Sequence, residues 1–151
     1  MIHLLSSPWH THFDDLVRAA REELLLASPY VRRYATDRLL ELLAPRATAP
    51  AIRLLTDLSV SSLLDGATEP AAITGLVDAL PHTRVTLLPS LHAKVYIADA
   101  SAAIVTSGNL TRAGLEHNQE YGVLLQDPSL VRQVRDDLEA FDGPPPRSAA
   151  G

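Results

Sequence analysis

A chain of 151 residues is long enough to bury a core and has the length of a single domain. Its net charge of −5 excludes nucleic-acid binding through bulk charge, and the absence of cysteine excludes disulfides and thiolate metal ligands. No apolar run reaches the roughly 20 residues that a membrane-spanning helix needs, and the first residues lack a secretory signal pattern, so we expect a cytoplasmic protein without stable membrane association.

The first half of the chain alternates apolar strands with amphipathic helices. Thr11 can cap a helix whose apolar residues recur at helical spacing from Phe13 onwards. In chain order, the predicted elements are a strand over 1–5, this helix, a strand over 24–29, a helix over 36–43, a strand over 52–57 and a helix over 70–80. Such alternation favours a sheet with parallel pairs and helices on both faces.

The second half is richer in strands. Its predicted elements are strands over 84–89, 93–98, 102–107 and 121–126, a helical segment over 110–115, and a last helix over 129–141 capped by Asp127 or Ser129. Short connections add antiparallel pairs, so we expect an α/β fold with a mixed, mostly parallel sheet sandwiched between helices. We expect one domain over 1–141. Residues 142–151 are rich in Pro, Gly and Ala, which is typical of a tail or of a linker to a further domain.

Lys94 is the only lysine in the chain, whereas arginine is used at every other lysine-or-arginine position. It stands in the run His92-Ala-Lys94-Val-Tyr-Ile-Ala-Asp99. Because side chains alternate along a strand, His92 and Lys94 share a face about 6–7 Å apart, near enough to flank one tetrahedral oxyanion. Ser107 and Asn109 repeat this two-residue spacing on the next predicted strand and are neutral hydrogen-bond donors.

These residues form the pattern His-x-Lys-x4-Asp, followed after six residues by Thr106-Ser-Gly-Asn109. This pattern resembles the HKD signature of the phospholipase D superfamily. The resemblance continues through 110–115 and 118–120, and it covers residues 84–126. The family usually has glycine where this chain has Thr106, and a side chain there could narrow a phosphate pocket.

The resemblance implies a phosphodiester transfer in two steps that needs neither metal nor cofactor. His92 would attack phosphorus and form a phosphohistidine. Lys94 and Asn109, with Ser107, would bind the non-bridging oxygens as charge builds on them. Glu120 would accept a hydrogen bond from the other ring nitrogen of the histidine.

The same resemblance assigns Asp99 to structural support of the turn and of the lysine. A second histidine is needed as the general acid, but the chain carries a single motif. The family's single-motif nucleases obtain the second His-Lys pair in trans from a two-fold dimer, so we expect a homodimer with a shared active site.

Candidate substrate-binding residues lie outside the motif core. Tyr30, Arg32 and Arg33 follow the strand over 24–29, and Arg112 follows the motif. Aromatic stacking combined with phosphate contacts would suit a single strand of nucleic acid. A solvated loop packed at the domain edge explains the same residues equally well.

We therefore expect a nucleic-acid phosphodiesterase, most simply an endonuclease. One alternative is a phospholipase D or phosphatidyl transferase that acts on lipid. Another is the nuclease domain of a larger restriction or defence protein, whose recognition domain would follow the tail. A non-catalytic dimerisation or binding module is a further reading, against which the intact His92, Lys94, Asn109 and Glu120 argue.

Overall fold

Seven short, largely apolar segments pair into one sheet in the computed structural model, which describes residues 1–142. The strands are β1 (Ile2–Ser6), β2 (Glu23–Ala27), β3 (Ala51–Thr56), β4 (Thr83–Leu87), β5 (Val95–Ala98), β6 (Ala102–Thr106) and β7 (Tyr121–Leu125). The helices are α1 (His10–Ala19), α2 (Arg33–Leu43), α3 (Val60–Leu64), α4 (Pro70–Ala79) and α5 (Pro128–Ala140), with a one-turn π-helix over Ala113–His117. The expected tail over 142–151 lies, apart from its first residue, outside the described residues.

The strand order is β1-β7-β6-β5-β2-β3-β4. The expected mixed α/β sheet is confirmed, but the expectation that it is mostly parallel is wrong. Only β2–β3 and β3–β4 are parallel, and the other four neighbouring pairs are antiparallel. The two parallel pairs are each joined through long α-helical connections, whereas β5 and β6 are joined by a short turn. The antiparallel pairs β1–β7 and β2–β5 join strands that are far apart in the chain.

This topology brings many strand ends to one edge of the sheet. Ala27 at the end of β2 pairs with Val95 at the start of β5, and Val95 pairs with Val105 near the end of β6. Thr106 then pairs with Gly122 at the start of β7. The residues just before β5 and β7 and just after β2 and β6 therefore meet at one edge.

The core has a layer on each face of the sheet. Helices α1, α2 and α4 cover the larger layer, which includes Tyr96. Helix α5 covers the smaller layer, which includes Val95 and Ile97, as the alternation along β5 predicts. Asp127 caps α5 by accepting from two backbone N–H groups, which confirms one of its two predicted caps.

Several helices differ from the predictions in their first residue, in their cap or in their presence. Helix α1 begins at His10 without a side-chain cap, so the predicted cap by Thr11 is wrong. Helix α2 begins at Arg33, three residues early, because the Glu69 carboxylate accepts a hydrogen bond from the Arg33 backbone N–H. The helical segment predicted over 110–115 is the later π-helix, and α3 was not predicted. No helix within residues 1–142 has both the length and the apolarity to cross a bilayer.

Candidate active site

His92 and Lys94 lie together at the sheet edge, immediately before β5. His92 is exposed and Lys94 is half-buried. The Lys94 Nζ lies 3.5 Å from His92 Nδ1 and 3.4 Å from Nε2, so the ammonium favours neither ring nitrogen as the acceptor. The Lys94 carbonyl accepts from the Thr106 N–H at 3.1 Å, which fixes the lysine backbone against β6.

Asn109 follows β6 and reaches across to the end of β2. Its Oδ1 lies 3.3 Å from the hydroxyl of Ser28, a buried residue that also accepts from the Leu110 N–H at 3.0 Å. Because β5 lies between β6 and β2, Asn109 bridges the edge at which Lys94 sits. Asn109 does not cap the helical turn that follows it, since Arg112 occupies the cap position of the π-helix.

The side chains of Ser107 and Glu120 form a hydrogen bond with each other. The Ser107 hydroxyl donates to Glu120 Oε2 and accepts from the Tyr121 N–H at 3.1 Å. A serine hydroxyl has one proton, so this bond uses the proton that a phosphate oxygen would need. The hydrogen bonds within residues 1–142 do not join Glu120 to His92. The expected role of Ser107 as a phosphate donor requires the Ser107–Glu120 bond to open, whereas Glu120 could accept from His92 through its other carboxylate oxygen.

Thr106, which stands in the usual glycine position of the motif, is a hydrogen-bonding residue here. Its hydroxyl accepts from the Gly108 N–H at 3.2 Å and lies 3.3 Å from the Tyr121 carbonyl. A glycine could form neither bond. The threonine thereby holds the start of the loop that carries Asn109.

Asp99 lies at the far end of β5, at the opposite edge from Lys94. Its carboxylate accepts from the backbone N–H groups of Arg21, Glu22 and Glu23 at 3.0, 2.8 and 2.9 Å. Burial acts to raise the pKa of this carboxyl, but the three backbone bonds outweigh it and the pKa is lowered. The expected support of a turn agrees with these bonds. Direct support of the lysine does not, because the length of β5 separates the two side chains.

We expect Asp99→Ala to lower the free energy of unfolding by about 1–3 kcal/mol at pH 7, because three N–H groups lose their acceptor. Asp99 also has φ of +54°, which alanine tolerates poorly. Since the folded-state pKa is lowered, the ionic part of this stability is full above the unfolded pKa near 4 and declines as the pH falls through the folded value. Urea unfolding at pH 7 and pH 3 measures it.

The control is Asp136→Ala, which replaces an exposed residue of α5 and should change the free energy of unfolding by less than about 0.5 kcal/mol. Equal effects of the two variants would contradict the role of Asp99.

The four predicted substrate-binding residues differ in whether their side chains already contact other residues. Arg32 pairs with Glu69 at 3.5 Å, and the Arg112 guanidinium lies 5.3 Å from the centre of the Tyr34 ring. The side chain of Arg33 is exposed and makes none of the ion pairs recorded within residues 1–142. Tyr30, just beyond β2, is 41 % exposed. Arg33 and Tyr30 are therefore accessible at or near the site edge.

An ionic cluster beside the motif was not expected from the sequence. Arg38 forms two bonds of 2.6 Å to Asp14, and Glu116 of the π-helix accepts from both Arg38 and the Tyr34 hydroxyl. The bond from Tyr34 lowers the pKa of Glu116, with further lowering by neighbouring cations. The cluster ties the π-helix to α1 and α2. Most of its partners are far apart in sequence, so only the i,i+4 spacing of Tyr34 and Arg38 gave a signal.

The protein is thus an α/β fold with a histidine, a lysine and an asparagine at one sheet edge. Within residues 1–142, no three His, Cys, Asp or Glu side chains form a group that could hold a metal ion. The family model described as "Cardiolipin synthase, PLD-like domain" matches residues 14–141, and the chain belongs to this phospholipase D-like family.

A search of curated proteins finds no match. Among solved structures, NucT from Helicobacter pylori has a TM-score of 0.71 at 16% identity, with 93% of this chain and 94% of that chain covered. Nuc from Salmonella typhimurium, described as a phospholipase D family member, has a TM-score of 0.68 at 17% identity, with 94% and 91% covered. Phosphatidylserine synthase from Haemophilus influenzae has a TM-score of 0.66 at 13% identity, with 91% of this chain but 36% of that chain covered. At these identities, the likeness is one of fold.

Proposed function

We propose that this protein is a metal-independent endonuclease that cleaves nucleic-acid phosphodiesters through a phosphohistidine. The observation that carries the proposal is the His92–Lys94 contact at an exposed sheet edge that Asn109 also reaches. In this arrangement His92 would supply a nucleophile, Lys94 a cation and Asn109 an amide donor. This is the set that phosphoryl transfer needs, because its transition state gains stability mainly from positioning and charge.

In the first step, a ring nitrogen of His92 attacks phosphorus with its lone pair, and the phosphorus–oxygen bond to the leaving strand breaks. The leaving oxygen takes a proton from His92 of a second copy of the chain. In the second step, water attacks the phosphohistidine, the nitrogen–phosphorus bond breaks, and that second His92 accepts the proton of the water. Lys94 and Asn109 stabilise the charge on the non-bridging oxygens in both steps.

Substrate binding would rearrange the Ser107–Glu120 pair. If Glu120 turns to accept from His92, the imidazolium gains a partner and the Ser107 proton becomes free to reach a phosphate oxygen. This rearrangement would supply two interactions that the transition state uses. The starting bond is the one recorded between the Ser107 hydroxyl and Glu120 Oε2.

An apolar groove next to His92 supports the proposed second copy. His92 lies at a groove of about 490 Å³ that is lined mainly by apolar residues, including Leu88, Leu91 and Phe141. Phe141 is 54 % exposed at the end of α5. Apolar surface of this kind favours burial by a protein partner, and a two-fold contact here would bring two His92 side chains toward one axis. We propose this groove as the homodimer surface.

Phe141→Asp is expected to convert the dimer to a monomer and to remove most of the activity, because a charge would enter an apolar contact. Sedimentation velocity and turnover measured over a range of protein concentrations test this. Val77→Asp, at a 40 % exposed residue of α4, is the control for an added surface charge and should stay dimeric. A monomeric Phe141→Asp that keeps full turnover would refute the shared site.

We propose nucleic acid as the substrate because Tyr30 and Arg33 offer an exposed ring and an exposed cation at or near the site edge. One observation favours lipid instead. Helix α3 follows β3 at the same edge and exposes Val60, Leu63 and Leu64 by 72 %, 40 % and 82 %, which would suit contact with a bilayer surface.

The deciding experiment offers the wild-type protein labelled single- and double-stranded DNA, RNA and phosphatidylcholine vesicles in excess EDTA. We expect cleavage of at least one nucleic acid. Turnover of lipid alone would favour the lipid-directed phospholipase. Activity that disappears on addition of EDTA would contradict a metal-independent reaction.

A further inference from the structure

The loop that carries Asn109 rests on a buried aromatic cluster formed by Trp9, Phe13 and Tyr96. Trp9 and Tyr96 are stacked with ring centres 5.6 Å apart, and Phe13 meets them edge-on at 6.1 and 5.9 Å. Trp9 is 1 % exposed, and the other two rings are fully buried. Such a cluster is rigid because close packing leaves its rings little freedom.

Two of these rings hold the loop by hydrogen bonds to glycine carbonyls. The Tyr96 hydroxyl donates to the Gly108 carbonyl at 2.7 Å, and the Trp9 indole N–H donates to the Gly114 carbonyl at 2.8 Å. Burial raises the pKa of Tyr96, so its hydroxyl keeps its proton and remains a donor. The first hydrogen bond holds Gly108, the residue before Asn109, and the second holds Gly114, which follows Asn109 by five residues.

Both glycines are required by the closeness of the packing. A Cβ on Gly108 would lie 2.7 Å from Trp9 Nε1, and a Cβ on Gly114 would lie 2.4 Å from the Asn109 carbonyl oxygen and 2.6 Å from its nitrogen. No other residue fits at either position without moving its neighbours. The backbone of Asn109 is therefore held between the Gly114 segment and the aromatic cluster.

We propose that Tyr96 and Trp9 are positioning residues that set where the Asn109 amide stands at the sheet edge. This inference rests on the proposed function in taking Asn109 as a phosphate ligand. A small displacement of such a ligand is costly, because transition-state stabilisation depends on donors placed in advance. Phe13 has no polar atom and serves only to pack the cluster.

A double-mutant cycle tests the proposal. Tyr96→Phe keeps the ring and removes the hydroxyl, and we expect kcat to fall about 10-fold with little change in KM. In an Asn109→Ala background, the same change should have almost no further effect on kcat, because the group that it positions is gone. Trp9→Phe should behave in the same way.

Phe13→Leu is the matched control, since it loosens the same cluster without removing a bond to the loop. It should lower stability but reduce kcat much less than Tyr96→Phe does, because both hydrogen bonds to the loop remain. Equal losses of kcat from Tyr96→Phe in both backgrounds, or unchanged kcat in the single variant, would overturn the inference.

Amide hydrogen exchange over residues 107–115 gives a second readout that does not need a substrate. When the two variants are compared at equal stability, amide exchange should be faster in Tyr96→Phe than in Phe13→Leu. Equal exchange rates would also overturn the inference. If the wild type cleaves no phosphodiester, the proposed function fails, and exchange alone then decides whether Tyr96 positions this loop.

Discussion

His92→Ala should reduce turnover by about 10⁴-fold or more, because it removes the proposed nucleophile and, in the dimer, the proposed general acid as well. The fold should survive the change. The His92 side chain is exposed, and its recorded hydrogen-bond contacts within residues 1–142 are those to Lys94. We therefore expect the free energy of unfolding to change by less than about 0.5 kcal/mol.

The measurement is kcat on the best substrate in excess EDTA, together with urea unfolding of the same preparation. His82→Ala is a matched control, since this exposed histidine precedes β4 at the edge remote from the site. It should retain full activity. Acid-labile phosphate on the wild-type protein, trapped by rapid quenching and absent from His92→Ala, would support the covalent step. A His92→Ala protein that turns over at the wild-type rate would contradict the assignment.

The fold was predictable where local pattern decides it. Alternation along β5 placed Tyr96 opposite Val95 and Ile97, and the two core layers separate them in that way. The sheet's parallel content was overestimated because the pairing of β1 with β7 and of β5 with β2 joins segments far apart in the chain. Periodicity carries no information about such pairings.

The candidate site, too, was predictable only where residues close together in the chain determine it. His92 and Lys94 are two residues apart, so alternation along an extended segment predicts that they share a face. In the structure both lie just before β5, and their side chains are in contact. The partners of Asn109, Ser107 and Glu120 depend on loop conformation across neighbouring strands. A single sequence could therefore name these residues but could not predict that Ser107 would bond to Glu120, or that Ser28 would face Asn109.

Replacement of Lys94 should produce the second-largest loss. Lys94→Met keeps the length of the side chain and removes the charge, so we expect kcat to fall by about 10²–10³-fold, the range seen when one donor to a developing oxyanion is removed. KM should change less, because the charge on phosphate is greater in the transition state than in the bound substrate. Arg132→Met on the exposed side of α5 controls for the loss of one positive charge and should leave kcat unchanged.

Lys94→Arg separates charge from shape. Nζ of Lys94 lies within 3.5 Å of both ring nitrogens of His92, a contact made by a compact ammonium that a planar guanidinium on a longer side chain would not reproduce. We therefore expect arginine to restore only a small part of the activity lost in Lys94→Met. Full activity of Lys94→Arg would mean that any cation suffices at this position. The use of lysine here alone, in a chain that otherwise uses arginine, would then have no catalytic cause.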